Sequence, residues 1–240
     1  MNLNDIAMLA VAEDAAARLG LAALSDIHSS GVDAIELGDA PLVVIAGDLM
    51  GAGAESDAAG RSYLEEVFFP WCRAHSNQDF VLTAGNHDKF LYRMWSRGER
   101  LPWPKNVHYL IDSGATVRGV QFWGTPWCLK NRPGRFEGEE ADLARAFAKI
   151  PGGVDVLVSH CPPYIPGERS DANEDGLHEG SKELTEAILA KRPRLCICGH
   201  VHSGSRRPVK LGDTVVVNVA LVEEDRHRAK HHPRRLDFLF

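Results

Sequence analysis

Five short segments of this chain carry side chains able to bind a metal ion: Asp26-Ile27-His28, Asp48, Asn86-His87-Asp88, His160, and His200-Val201-His202. Alternate residues of an extended segment face the same way, so Asp26 and His28 can aim at one ion, as can His200 and His202 at a pair. Carboxylate, imidazole and amide oxygen together make a mixed donor set that suits manganese, iron or zinc, and is too rich in nitrogen for a dedicated calcium or magnesium cage. Taken singly these segments say little, because a lone histidine at a strand end is more often a hydrogen-bonded structural residue. GNHD and GHVH say more, since the glycine lets the backbone turn sharply into a site.

Each segment follows an apolar run. LAAL at 21–24 leads into Asp26, LVVIA at 42–46 into Asp48, FVLTA at 80–84 into Asn86, VDVLVS at 154–159 into His160, and LCIC at 195–198 into His200. Such runs read as buried strands, and ligands of open α/β sheets bind beyond the carboxyl ends of the strands. Helical patterns over Ser62 to Ala74, Glu139 to Lys149 and Ser181 to Lys191 alternate with them, which gives an α/β protein. The runs VHYLI, ATVRGVQFWG, VKLGDTVVVNVA and RLDFLF, with turns at Gly119 and Gly212-Asp213, predict a second, partly antiparallel sheet. Residues 1–20 read as a helical extension ahead of one domain spanning 21–240.

With 240 residues, 44% hydrophobic and 25% charged, the chain has the composition of a globular protein. No apolar run approaches the roughly 20 residues of a membrane span. The N-terminal stretch Ile6 to Ala17 is broken by Glu13 and Asp14 and lacks a cationic lead, so it does not read as a signal peptide and a cytoplasmic location is expected. A net charge of -6 disfavours general nucleic-acid binding. The basic stretch 226–235 reads as a solvated hairpin before the last strand, or as a neighbour of an anionic substrate. The five scattered cysteines suggest neither disulfides nor a thiolate zinc site.

The motifs DIH, GDLMG, GNHD, SHCPP and GHVH resemble the pattern of the calcineurin-like metallophosphoesterase superfamily, from Leu21 to about Asn218. FWGTPW, SHCPPY, HEGSKEL and RPRLCICGHVHSG resemble its branch of small phosphodiesterases. The resemblance implies a four-layer α/β/β/α sandwich of two mixed sheets flanked by helices. It also implies two divalent ions (manganese, iron or zinc), the first on Asp26, His28, Asp48 and His202, the second sharing Asp48 and completed by Asn86, His160 and His200. His87 corresponds to a histidine that faces the substrate without ligating. The aspartate and arginines that protein phosphatases of the superfamily carry near GD and GNHE have no counterpart in GDLMGAG and GNHDKF.

Two such ions on those residues, roughly 3.5 to 4 Å apart, could share a hydroxide, which would attack phosphorus in line. The Asn86 amide and the metals would hold the nonbridging oxygens, and His87 would protonate the leaving oxygen. Asp88 is a supporting hydrogen-bond partner or a helix cap. His178 and Trp127 could rim the pocket, or be loop surface and core. The expected activity is hydrolysis of a small phosphodiester, a cyclic nucleotide for example. The alternatives are a phosphomonoesterase, a nuclease, or a non-catalytic scaffold on the same fold.

Overall fold

The computed structural model describes residues 6–8, 18–29, 31–51, 54, 56–130, 134–221 and 231–239. Its strands are β1 (Ile6–Met8), β2 (Arg18–Leu24), β3 (Leu42–Ala46), β4 (Asp79–Thr83), β5 (Val107–Tyr109), β6 (Ser113–Val117), β7 (Val120–Thr125), β8 (Cys128–Leu129), β9 (Glu137–Gly138), β10 (Val156–Ser159), β11 (Leu195–Cys198), β12 (Val209–Leu211), β13 (Thr214–Asn218) and β14 (Arg234–Leu239). The helices are α1 (Asp57–Ser62), α2 (Phe69–Ala74), α3 (Lys89–Ser96), α4 (Glu140–Phe147) and α5 (Lys182–Lys191). A π-wound stretch, Tyr63–Phe68, joins α1 to α2. Pro70 at the start of α2 cannot donate to the helical ladder, and the turn before it is widened.

Two six-stranded sheets form, in the orders β1-β14-β2-β3-β4-β5 and β12-β13-β11-β10-β7-β6, and β8 and β9 make a separate two-stranded ribbon. The strands β2, β3 and β4 run parallel, as do β10 and β11, while β14 and β12 each add an antiparallel pairing. The alternation of side chains across β3 shows how the layers are glued. Leu42, Val44 and Ala46 join a core between the sheets with Val156, Val158 and Ile197. Val43 and Ile45 point the other way, into a core with Leu64, Phe68 and Phe90 from the helical side. On the far face, Leu157, Cys196 and Val216 pack on Leu143, Phe147 and Ile188 of α4 and α5. This is the four-layer α/β/β/α sandwich.

The parallel strands fall where their apolar runs lie, because residues buried on both faces need near-continuous hydrophobic sequence. The helix expected over residues 1–20 is replaced, in its described part, by strand: Ile6–Met8 pairs with β14, and Arg18–Gly20 open β2. Apolar residues of a short strand and of a helix have the same composition, and only the partner β14 decides between them. Of the basic stretch, residues 226–230 lie outside the described residues, and Arg234 and Arg235 begin β14. No helix among the described residues is long and apolar enough to cross a membrane.

Candidate metal centre

Strand order makes the site. Asp26, Asp48 and Asn86 follow β2, β3 and β4, which are neighbours in one sheet; His160 and His200 follow β10 and β11, neighbours in the other. The sheets are stitched together at this end, where the Ser25 amide donates to Val219 O at 3.1 Å and Leu221 N to Ser25 O at 3.0 Å. The chain then turns abruptly. Asp26, His28, Asp48 and His200 all take left-handed backbone conformations, with φ of 59°, 49°, 52° and 69°. Such conformations cost on the order of 1–3 kcal/mol each for a residue with a Cβ, and persist only where the surroundings fix them. Here the Asp26 amide donates to Gly47 O at 3.0 Å and the His28 amide to Asp48 O at 3.0 Å.

Two glycines leave room for the site. A Cβ on Gly85 would overlap Asp48 Oδ1 and lie 2.6 Å from His160 Nε2, and one on Gly199 would overlap Ser25 Oγ and Asp26 Oδ2.

The side chains converge in two overlapping groups. In one, His202 Nε2 lies 3.2 Å from Asp26 Oδ1 and 3.1 Å from His28 Nε2, and His28 Nε2 is 3.8 Å from Asp26 Oδ1. In the other, His160 Nε2 lies 3.3 Å from Asp48 Oδ2 and 3.1 Å from Asn86 Oδ1. Asp48 connects the groups, its Oδ2 also 3.7 Å from His28 Nε2. Donors held roughly 2.1 Å from one ion can be at most about 4.2 Å apart, and every one of these separations falls inside that limit. The buried oxygens and imidazole nitrogens therefore fit divalent cations. His160 Nδ1 is 2.8 Å from Ala46 O, and since a carbonyl only accepts, Nδ1 carries a proton and Nε2 faces the group.

Opposite charges partly offset one another within the cluster. Burial acts to raise Asp26, yet the hydrogen bond with His202 and the charge of His160 outweigh it and hold the carboxyl below its ordinary range. Burial acts on Asp48 in the same sense, and His160 and His28 overcome it. For His160 burial would favour the neutral ring, but Asp48 raises it to about 10. Burial and the nearby His160 push His200 down to about 3.

His87, half-buried, lies on the wall of a cavity of about 330 Å³ that also exposes Asp48, Asn86, His200 and His202. Its amide donates to Asp48 Oδ1 at 2.8 Å, and its ring stands edge-on to His28 with centroids 5.0 Å apart. Asp88 precedes α3 without a side-chain cap hydrogen bond. Its carboxyl accepts from Gly85 N at 2.8 Å, Met50 N at 2.8 Å and Leu49 N at 3.3 Å, tying the GDLM turn to the GNHD turn. Burial, then the charge of Asp48, raise Asp88 to about 7.

Other sequence candidates fall elsewhere. His178 pairs with Asp171 at 3.0 Å and packs on Tyr164, and Trp127 donates to Asp112 at 3.0 Å within an aromatic group with Trp95 and Phe136. Cys161 is buried with its thiol directed to Pro162 O at 3.3 Å. The sequence reading missed Lys130, Glu174, Asp175 and Glu179 on the cavity wall, and Cys128, whose sulfur groups with His160 and His200. It also missed Glu137, which accepts from Asn86 Nδ2 at 3.0 Å. None of these ends an apolar strand run, which was the signal used to find the others.

Comparison with known proteins gives the family and the fold. The family described as calcineurin-like phosphoesterase matches residues 20–204. The chain is similar to the UPF0046 protein T07D4.2 of Caenorhabditis elegans, with 34% identity over 101 residues, 41% of this chain and 25% of that one. It is also similar to human metallophosphoesterase domain-containing protein 1, with 28% identity over 215 residues, 75% of this chain and 60% of that protein. It thus spans a quarter and three-fifths, respectively, of the lengths of these relatives. Among solved structures, phosphopantetheinyl hydrolase of Mycobacterium tuberculosis superposes with a TM-score of 0.52 at 15% identity, covering 93% of this chain and 96% of that one, which shows a shared fold.

Proposed function

The chain belongs to the calcineurin-like phosphoesterase family, whose members are generally metal-dependent hydrolases of phosphoester bonds, and from that premise we propose that it hydrolyses a small phosphodiester. The observation that carries the reading is the joining of two donor groups through Asp48 on the floor of one cavity, with His87 on its wall. Asp26, His28 and His202 would hold one ion, Asn86, His160 and His200 a second, and Asp48 both. Bound divalent ions supply positive charge to phosphoryl oxygens and lower the pKa of water toward neutrality.

The protein's own groups do the rest. Asn86 would offer a nonbridging oxygen the second hydrogen of its NH2, whose first goes to Glu137, and His87 would give a proton to the leaving oxygen. The choice of diester is supported by charge. Among the described residues, Lys130 is the one lysine or arginine on the cavity wall, against Glu174, Asp175 and Glu179. These carboxylates repel a monoester dianion more than a diester monoanion. They also disfavour a polynucleotide, whose repeated phosphates call for a basic track. A cyclic nucleotide is a small diester of this kind, and a cavity of about 330 Å³ is of ligand size.

The test is hydrolysis of bis-p-nitrophenyl phosphate against p-nitrophenyl phosphate with added manganese, run beside His87→Ala. The expected result is faster turnover of the diester, with His87→Ala lowering kcat by roughly 100- to 10,000-fold while metal content stays unchanged. A preference for the monoester would replace the reading with a phosphomonoesterase. A protein that takes up no divalent ion would be the scaffold.

A further inference from the structure

A carboxamide ligand has an ambiguity that a carboxylate or an imidazole in a fixed tautomer lacks. Its oxygen attracts a cation and its NH2 repels one, and the two ends exchange by a half-turn about a torsion with a broad, roughly two-fold profile. A site that uses an asparagine oxygen therefore needs something else to hold the nitrogen. In this chain that partner is Glu137. Its Oε1 accepts from Asn86 Nδ2 at 3.0 Å, while Asn86 Oδ1 lies 3.1 Å from His160 Nε2, on the side of Asp48.

Glu137 is held firmly enough for the task. It lies in β9, opposite Cys128 of β8. The ribbon is closed by Cys128 N to Phe136 O at 3.0 Å and Lys130 N to Gly138 O at 3.2 Å. Two residues later the chain enters α4 through a capping box in which Glu139 and Asp142 bind each other's backbone. Phe136, fully buried beside Tyr92, Trp95 and Trp127, anchors the preceding residue. Among the described residues Glu137 is the one buried glutamate. Glutamate is rarely buried unless it has a partner that needs it.

We propose that Glu137 is a positioning residue that fixes the Asn86 amide with its oxygen toward the second metal position, so that the β8–β9 ribbon, through Glu137, completes that position. The proposal rests on the two-ion reading above. Without Glu137 the amide can turn its NH2 toward the ion, and affinity falls at the second position while the first, built from Asp26, His28 and His202, is untouched.

Manganese uptake by the full chain tests this, with ion number from elemental analysis, affinity from calorimetry, and electron paramagnetic resonance to separate coupled ion pairs from single ions. Wild type should bind two ions with a coupled signal. Glu137→Leu should retain the first ion and bind the second about ten- to a hundredfold more weakly, the usual cost of losing a partner behind a ligand, with a single-ion signal. Glu137→Gln keeps an acceptor oxygen and should restore the second ion. In an Asn86→Ala background, Glu137→Leu should cost nothing further. If Glu137→Leu does not fold, Glu137→Asp, one methylene too short to reach, takes its place in the same measurements. Second-ion binding at wild-type affinity in the folded variant, or an equal loss with and without Asn86, would overturn the positioning role alone. A wild type that never binds a second ion would overturn the two-ion reading with it.

Discussion

The two halves of the site are built by different means. The half made of Asp26, His28 and His202 comes from two strand-end motifs, DIH and GHVH, whose side chains reach one another directly at 3.1 and 3.2 Å. The half made of Asn86, His160 and His200 depends on groups from outside any such motif. Glu137 holds the amide, Ala46 O sets the tautomer of His160, and Glu179 Oε2 stands 3.9 Å from His200 Nε2. Where the strand-end backbone itself aims the ligands, their side chains meet one another directly. Where a ligand can turn about its own torsions, a third group has to hold it, and that group can come from anywhere in the chain.

Asp48 belongs to both halves, so it should be the most damaging position. Asp48→Asn should lower kcat/KM by on the order of a thousandfold or more, the equivalent of several kcal/mol of lost charge stabilisation, and reduce uptake of both ions. If one ion remained fully bound, the halves would be independent and Asp48 would serve only one of them. His202→Ala and His160→Ala sharpen the comparison, because each should lose one ion and keep the other, read by elemental analysis.

A smaller effect is expected at Gly85, where a Cβ meets both Asp48 and His160. Gly85→Ala should cost roughly 1–3 kcal/mol of stability through overpacking and weaken metal binding, whereas Gly152→Ala, with no heavy atom within 4 Å of its Cβ, should do neither. Equal thermal melting of the two variants would show that the strand-end turn has more slack than its distances indicate.

A distinction that needs no substitution is in pH. His160 in the ion-free chain is raised to about 10 by Asp48, so near pH 7 it holds a proton that an ion at the second position must displace. Affinity there should rise with pH, by up to about tenfold per unit below that value, with proton release visible as a buffer-dependent heat in calorimetry. An affinity independent of pH between 6 and 9 would mean that His160 enters the site already neutral.

Much of the molecule was legible because burial on both faces leaves a plain mark. LVVIA and LCIC are strands over the residues expected, and the polar residue after each apolar run lies in or beside the cavity, as Asp48 and His200 show. Helix α3 was not foreseen, since Lys89–Ser96 directly follows the GNHD turn without a break in composition. Residues 1–20 were read as helix, although Ile6–Met8 pairs with the last strand, a partner more than 220 positions away.

The sequence by itself determined the donor types, their order, and the strand ends that carry them, because those depend on local chemistry and a period of two. Only the tertiary structure decided that Glu137 stands behind Asn86, that Asp88 accepts the amides of two turns, and that His178 and Trp127 meet Asp171 and Asp112. Those assignments rest on contacts such as Asn86 to Glu137, 51 positions apart in the chain, and no local pattern encodes which distant side chain fills the last coordinate of a buried polar group.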